Sequence, residues 1–260
     1  MLLPSEKVSQ HHFRSDRGRR VRNGLAAAFV LVALVGWAGI GRAASHSAAK
    51  PDVPGDATSP PGFMGPTEGE RQIAEAKHEI DVGELTTDDG ERRAAYARAL
   101  DHANRAVALV PDSAEAHFLV FGSEGRLAQL DGLATAALKL VSLNKQLDEV
   151  LRLDPDHANA LAARGGMLMK LPRLLGGDPE QGIRLLERAV SLDEDGVGKR
   201  LELAEAYHLV KREDDARRVA GEALAMAQRR GDPRQIDNAR RFNAELAEAC
   251  AGCALASIGR

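Results

Sequence analysis

Cys250 and Cys253 are the only cysteines in the chain, and they form a Cys-x-x-Cys pair. That spacing invites thiol–disulfide chemistry. Three features oppose it. No strand–helix pattern of the thioredoxin kind surrounds the pair. The pair falls near the end of an expected helix, where the negative dipole end raises a thiol pKa. Ala254 stands where c-type haem attachment needs a histidine. Structural thiols or a local disulfide are the readings that remain, with a thiol oxidoreductase as the minor alternative. The eight histidines are scattered. His11 and His12 precede the body, His46 lies in a linker, and His78, His102, His117, His157 and His208 show no metal-ligand spacing. In Gly122-Ser123-Glu124-Gly125 the serine follows glycine directly, so this is no nucleophile elbow. The sequence offers no phosphate-binding glycine loop, and no cofactor or metal is expected.

The most distinctive loop is Leu171-Pro172-Arg173-Leu174-Leu175-Gly176-Gly177-Asp178. Pro172 should end a helix at Leu171. Gly176 and Gly177 permit positive φ, and Asp178 can cap the next helix with Pro179 in its first turn. Leu171, Leu174 and Leu175 would either tuck into the core, leaving a packed connector, or form part of an apolar ligand or partner surface.

These residues need a scaffold, and the charge distribution locates it. The net charge of −3 conceals two regions. Residues 1–50 hold eight Lys/Arg against two Asp/Glu, so the rest of the chain carries −9. An acidic body opposes binding to a nucleic-acid backbone. The body's aromatics are Tyr96, Phe118, Phe121, Tyr207 and Phe242, too few for base-stacking platforms. Residues 23–41 are uncharged and, as a helix, would reach about 28 Å, near the bilayer's hydrocarbon thickness. Arg14, Arg17, Arg19, Arg20 and Arg22 precede them, which predicts a cytoplasmic N-terminus and a body on the far side of the membrane. A single-pass anchor and a cleaved signal peptide both fit. The expected organisation is a basic tail at 1–22, a transmembrane or signal segment at 23–41, a Pro/Gly linker at 42–66 and a helical body at 67–260.

In the body, apolar residues recur at three- and four-residue intervals, as in Leu100, Ala103, Val107 and Val110. Helices are expected at about 69–82, 91–109, 113–128, 132–153, 157–171, 178–192, 197–210, 213–230 and 233–253, with no strand. Arg105–Asp112, Glu149–Asp156 and Arg188–Asp195 resemble one another, and a weaker copy begins at Glu222. Corresponding positions Pro111, Pro155, Glu194 and Gln228 are 44, 39 and 34 residues apart. Helix pairs at such intervals indicate an α-solenoid.

At this point the chain resembles the tetratricopeptide repeat (TPR) family over roughly residues 90–228. Leu203, Ala204, Tyr207, Ala216 and Ala223 match its pattern in the last repeat. Gly165, Leu168, Gly182 and Ala189 match in the preceding one, and Ala99, Ala106 and Pro111 in the first. The resemblance implies an all-α solenoid of antiparallel helix pairs, in which small residues let paired helices cross closely. It also implies a groove lined by first-helix residues: Phe118, Gly122 and Arg126; Asn159, Ala162, Gly166, Met169 and Lys170; Leu201, Glu205, His208 and Leu209. The Lys/Asn carboxylate clamp of chaperone-binding members is not visible. More narrowly, the loop with Leu171, Pro172, Leu174, Gly176, Gly177 and Asp178 looks like the turn of the T-component (TatT-like) proteins associated with TRAP transporters. That resemblance implies an exported, non-catalytic component working beside a periplasmic solute-binding protein. A general scaffold of envelope biogenesis or secretion is the alternative.

Overall fold

A computed structural model describes residues 65–258, with the side chains of 133 and 249–258 excepted. The expected tail, apolar segment and nearly all of the linker lie outside the described residues. Among those described, no helix is long and apolar enough to cross a membrane.

Among the described residues nine α-helices follow one another: α1 Glu68–Leu85, α2 Asp89–Leu109, α3 Ala114–Leu130, α4 Leu133–Leu153, α5 Ala158–Lys170, α6 Pro179–Leu192, α7 Val197–Leu209, α8 Glu213–Arg230 and α9 Pro233–Ile258. No strand occurs among the described residues. The helix starts are written in cap residues. Thr67 and Glu70 form a reciprocal capping box before α1. Asp88, Ser113 and Asp178 each accept a backbone N–H at the start of α2, α3 and α6. At its far end, α8 stops on Gly231 in the left-handed conformation, the usual glycine C-terminus.

Each odd-numbered helix packs against the next even one, giving the pairs α1/α2, α3/α4, α5/α6 and α7/α8, with α9 covering the end. Neighbouring pairs also touch through their first helices, α1 with α3 and α5 with α7. This is a stack of helix pairs, in which each unit buries its apolar face on the next. Alanines at zero exposure mark the close crossings, among them Ala76, Ala99, Ala106, Ala189, Ala204 and Ala216. The crossing of α5 and α6 is tighter still, because Gly165 and Gly182 face each other. A Cβ on Gly165 would lie 2.8 Å from the Gly182 carbonyl oxygen. Larger side chains fill the spaces between crossings. Leu143, Leu147 and Val150 of α4 pack with Phe118, Phe121, Ala160 and Ala163.

The irregular spacing has a simple origin. The 44-residue interval holds two long helices, α3 of 17 and α4 of 21 residues. The 39-residue interval holds helices of only 13 and 14 residues, joined by the connector at 171–178. The helix expected at 132–153 is α4, equal in length to α2 at 21 residues.

That connector departs from the packed alternative. Arg173–Leu175 forms one turn of 3-10 helix, and Gly176 takes φ 88°. Its backbone is tied down: Gly177 N–H donates to the Pro172 carbonyl and Asp178 N–H to the Leu168 carbonyl, at 3.1 and 3.0 Å. Gly177 admits no side chain, because a Cβ would sit 1.8 Å from the Leu171 oxygen. Yet Leu174 is 98% and Leu175 67% exposed, and only Leu171 is partly covered. Backbone hydrogen bonds fix this turn at the end of α5 with Leu174 and Leu175 facing solvent.

Candidate functional site

A cleft opens where the second, third and fourth helix pairs meet. The seam behind it is the sparsest in the stack, with α4 and α5 touching much less than α2 and α3 do. Phe121 of α3 and Leu140 and Leu143 of α4 form one wall. The floor is a continuous face of α5, from Ala162 and Ala163 through Gly166 and Met167 to Met169 and Lys170. Leu186 of α6 closes the back. The opposite wall is α7, through Glu202, Glu205, Ala206 and Leu209, an i, i+3, i+4, i+7 face.

The cleft is apolar except at one end. There Lys170 Nζ lies 3.6 Å from Glu205 Oε2, a loose ion pair. Glu202 stands one helical turn before Glu205. The residue as a whole is half-buried, but its Oε2 is shut off from solvent and has no hydrogen-bond partner. Burial pushes the Glu202 carboxyl up to about 8. Lys170 opposes the rise, Glu205 adds to it, and Lys199 opposes it more weakly. Lys199 is itself engaged by Asp193 Oδ2 at 2.7 Å. At neutral pH Glu202 is thus mainly the uncharged acid, as its apolar surroundings demand.

The structure brings together Ala162, Gly166, Met169, Lys170, Glu205 and Leu209 of the residues assigned to the groove. It sends the others elsewhere. Phe118 lies in the core beside Phe121 and His157, with ring centroids at 5.8 and 4.9 Å. Gly122 supplies its carbonyl to the Arg126 guanidinium. Arg126 turns to α1 and pairs with Glu84 at 2.5 Å, with 10% of its side chain exposed. Asn159 is half-buried outside the cleft lining. Leu201 is buried with Ala223, Met226 and Ala239. His208 Nδ1 meets Glu213 Oε2 at 2.7 Å. The common cause is rotation. Reading α7 as 201, 205, 208 and 209 instead of 202, 205, 206 and 209 turns part of the face by one residue, about 100°. On α3 the expected face passed through Phe118 and Gly122, whereas the cleft meets Phe121. Glu202 was missed for this reason, although an acid between Leu201 and Leu203 was a visible signal.

A second polar chain ties the stack together. Glu115 of α3 receives Lys77 of α1 at 2.7 Å and His157, the residue capping α5, at 3.0 Å. Ala160 N–H donates to His157 Nδ1, so the ring proton sits on Nε2 and points at Glu115. Burial alone would raise the Glu115 carboxyl. The hydrogen bond from His157 and the charge of Lys77 overcome it and hold the group at about 2. Across the last seam, the Tyr207 hydroxyl donates to Glu187 at 2.6 Å while the Arg212 guanidinium stacks 4.3 Å from its ring centre. Burial and that hydrogen bond push the phenol up to about 12. These groups join helices and do not line the cleft.

Among the described residues no His/Cys/Asp/Glu group is arranged to hold a metal ion. Cys250 and Cys253 fall within α9, but their side chains lie outside the described residues.

Stacked antiparallel pairs, small residues at the crossings and a cleft on first-helix faces define a TPR-like α-solenoid. No known family profile and no curated protein matches the chain. Similar solved structures include a thermophilic TPR protein of Thermus thermophilus, 21% identical, covering 69% of this chain and 91% of that one, with TM-score 0.47. MamA is 15% identical over 67% of this chain and 87% of its own, with TM-score 0.37. The TPR2AB domain in the pHSP90 complex of yeast Sti1 is 14% identical over 69% of this chain and 98% of its own, with TM-score 0.35. With scores this low, the fold assignment rests on the helix-pair packing itself.

Proposed function

We propose that this chain is a non-catalytic binding module whose cleft, shared by three helix pairs, receives part of a protein partner. The observation that carries this is the cleft's composition: a long apolar wall from several repeats, ending in Lys170, Glu202 and Glu205. Apolar pockets with few convergent polar groups are where recognition concentrates. The basic head and the uncharged run at 23–41 support a body displayed in the bacterial envelope, on an anchor or after signal cleavage. The Leu-Pro-x-x-Leu-Gly-Gly-Asp connector supports the narrower reading, a partner among periplasmic solute-binding proteins of TRAP transporters.

Gly166 provides the test. A Cβ there meets nothing within 4 Å, so Gly166→Phe should fill the cleft without disturbing the fold. A photo-crosslinker introduced at Leu209, on the cleft rim, should capture a defined envelope protein, and Gly166→Phe should abolish that capture at unchanged Tm. Equal capture by both forms refutes the cleft as the partner site. Recovery of a solute-binding protein supports the narrower reading, and recovery of secretion or biogenesis machinery replaces it with the scaffold alternative.

A further inference from the structure

The polar end of the cleft is not balanced. It offers two carboxyls, Glu202 and Glu205, against one nearby ammonium, Lys170, which already lies 3.6 Å from Glu205. Glu202 Oε2 is enclosed, makes no hydrogen bond within the fold and belongs to the cleft wall. A buried acceptor without a donor is costly and rare in folded proteins. No helix–helix contact explains it, in contrast to Glu84, Glu115 and Glu187, which all bridge helices. A ligand anion entering here would face Glu205 and could use only the ammonium that Glu205 already attracts. A ligand cation would meet a half-buried carboxyl that has no donor within the fold, one oxygen of which is enclosed.

Resting on the reading of the cleft as a partner site, we propose that its occupant is a lysine side chain within an apolar segment of the partner, with the ammonium seated on Glu202 and Glu205. An ammonium carries three donors on a compact centre, which suits two carboxylates a helical turn apart. The lysine stem and flanking apolar residues would lie against the accessible apolar lining, Leu140, Met167, Met169 and Leu209. The acid–base balance follows. Free Glu202 carries a proton at neutral pH. When the ammonium arrives, the carboxyl ionises, its proton leaves to solvent, and a charge-assisted pair forms. The charged groups acting on Glu202 are Lys170 from α5 and Glu205 and Lys199 from its own helix.

The test is calorimetry on the full chain with the blocked pentapeptide Leu-Ala-Lys-Ala-Leu, its Glu counterpart and octylammonium chloride as probes. Titration at pH 7 in two buffers of different ionisation enthalpy counts protons. The Lys peptide should bind at least tenfold more tightly than the Glu peptide and release up to one proton per site. Glu202→Gln should weaken it at least tenfold and remove the proton release, at an undiminished Tm. Equal or tighter binding of the Glu peptide overturns the proposal, as do undiminished binding by Glu202→Gln and no binding by any probe. Binding of octylammonium without the Lys peptide overturns the peptide source. In each case, crosslinking still blocked by Gly166→Phe leaves the partner-site reading standing, whereas crosslinking indifferent to that variant removes the reading itself.

Discussion

Replacing Glu202 by Gln should make the protein more stable as pH rises, and the effect can be sized from the site. The folded carboxyl titrates at about 8, against an ordinary value of 4.5. Between those values the folded chain holds a proton that the unfolded chain has lost. Stability therefore falls with increasing pH across that window. Each pKa unit corresponds to about 1.36 kcal/mol, so the ceiling on the loss is about 5 kcal/mol. Relaxation and water penetration reduce such penalties, and about 2–4 kcal/mol is expected. Glutamine has the same shape and does not titrate; its amide adds an offset independent of pH. Every other group titrates alike in both proteins. Urea unfolding followed by circular dichroism at pH 5, 6, 7, 8 and 9 should show the variant's advantage growing from pH 5 and levelling above pH 8. In melting temperature this is roughly 6–12 °C for a domain of this size. Lys170→Met should carry the plateau to higher pH, because Lys170 holds the Glu202 pKa down. A difference that is flat between pH 5 and 9, or that shrinks, would refute the reasoning.

Glu115 has the opposite sign. Its folded pKa is depressed to about 2, so its contribution is present above the unfolded value and disappears as pH falls toward 2. Glu115→Gln should cost about 1–2 kcal/mol at pH 7, after discounting for a side chain that is one-third exposed, and should flatten acid unfolding between pH 4.5 and 2. Gly165→Ala should destabilise by about 1–3 kcal/mol in denaturant titrations, because its methyl meets the α6 backbone, while Gly166→Ala, one residue on and facing open space, should be neutral or slightly stabilising. Leu174→Ser should leave stability within about 0.5 kcal/mol, as fits a side chain in solvent; a loss of several kcal/mol would restore the tucked connector.

The helices were legible because their signals are local. Thr67 with Glu70, Ser113, Asp178 with Pro179, and Gly231 each act within one turn, and the α-helix starts and stops follow them closely. Pairing was legible for a related reason: Gly165, Gly182, Ala189 and Ala216 are too small to do much except allow close crossing. The connector at 171–178 shows where local reading ends. Its turn chemistry was written in Pro172, Gly176 and Asp178, but the exposure of Leu174 depends on how the turn is fixed on α5, through hydrogen bonds such as Asp178 N–H to the Leu168 carbonyl.

The cleft was half legible, and the unevenness has a physical logic. On α5 the residues facing the cleft are small or unbranched, so a helical wheel through Ala162, Gly166 and Lys170 finds them. On α3 and α7 the helix is buried on several sides, since it packs on its own partner, on the next pair and on the cleft at once. Leu201 and Leu203 are both buried, against different neighbours, and Glu202 lies between them. A helix buried on several sides has no single apolar stripe from which to read its rotation. Its polar residues then become the better guide: a carboxyl among buried leucines needs a reason, and a cation from outside supplies one. The sparse seam between the second and third pairs supplies the room. Where α4 and α5 touch least, Phe121 and Leu143 are buried while Leu140 and Met167 stay partly exposed, and the carboxyl of Glu202 lines the same cleft.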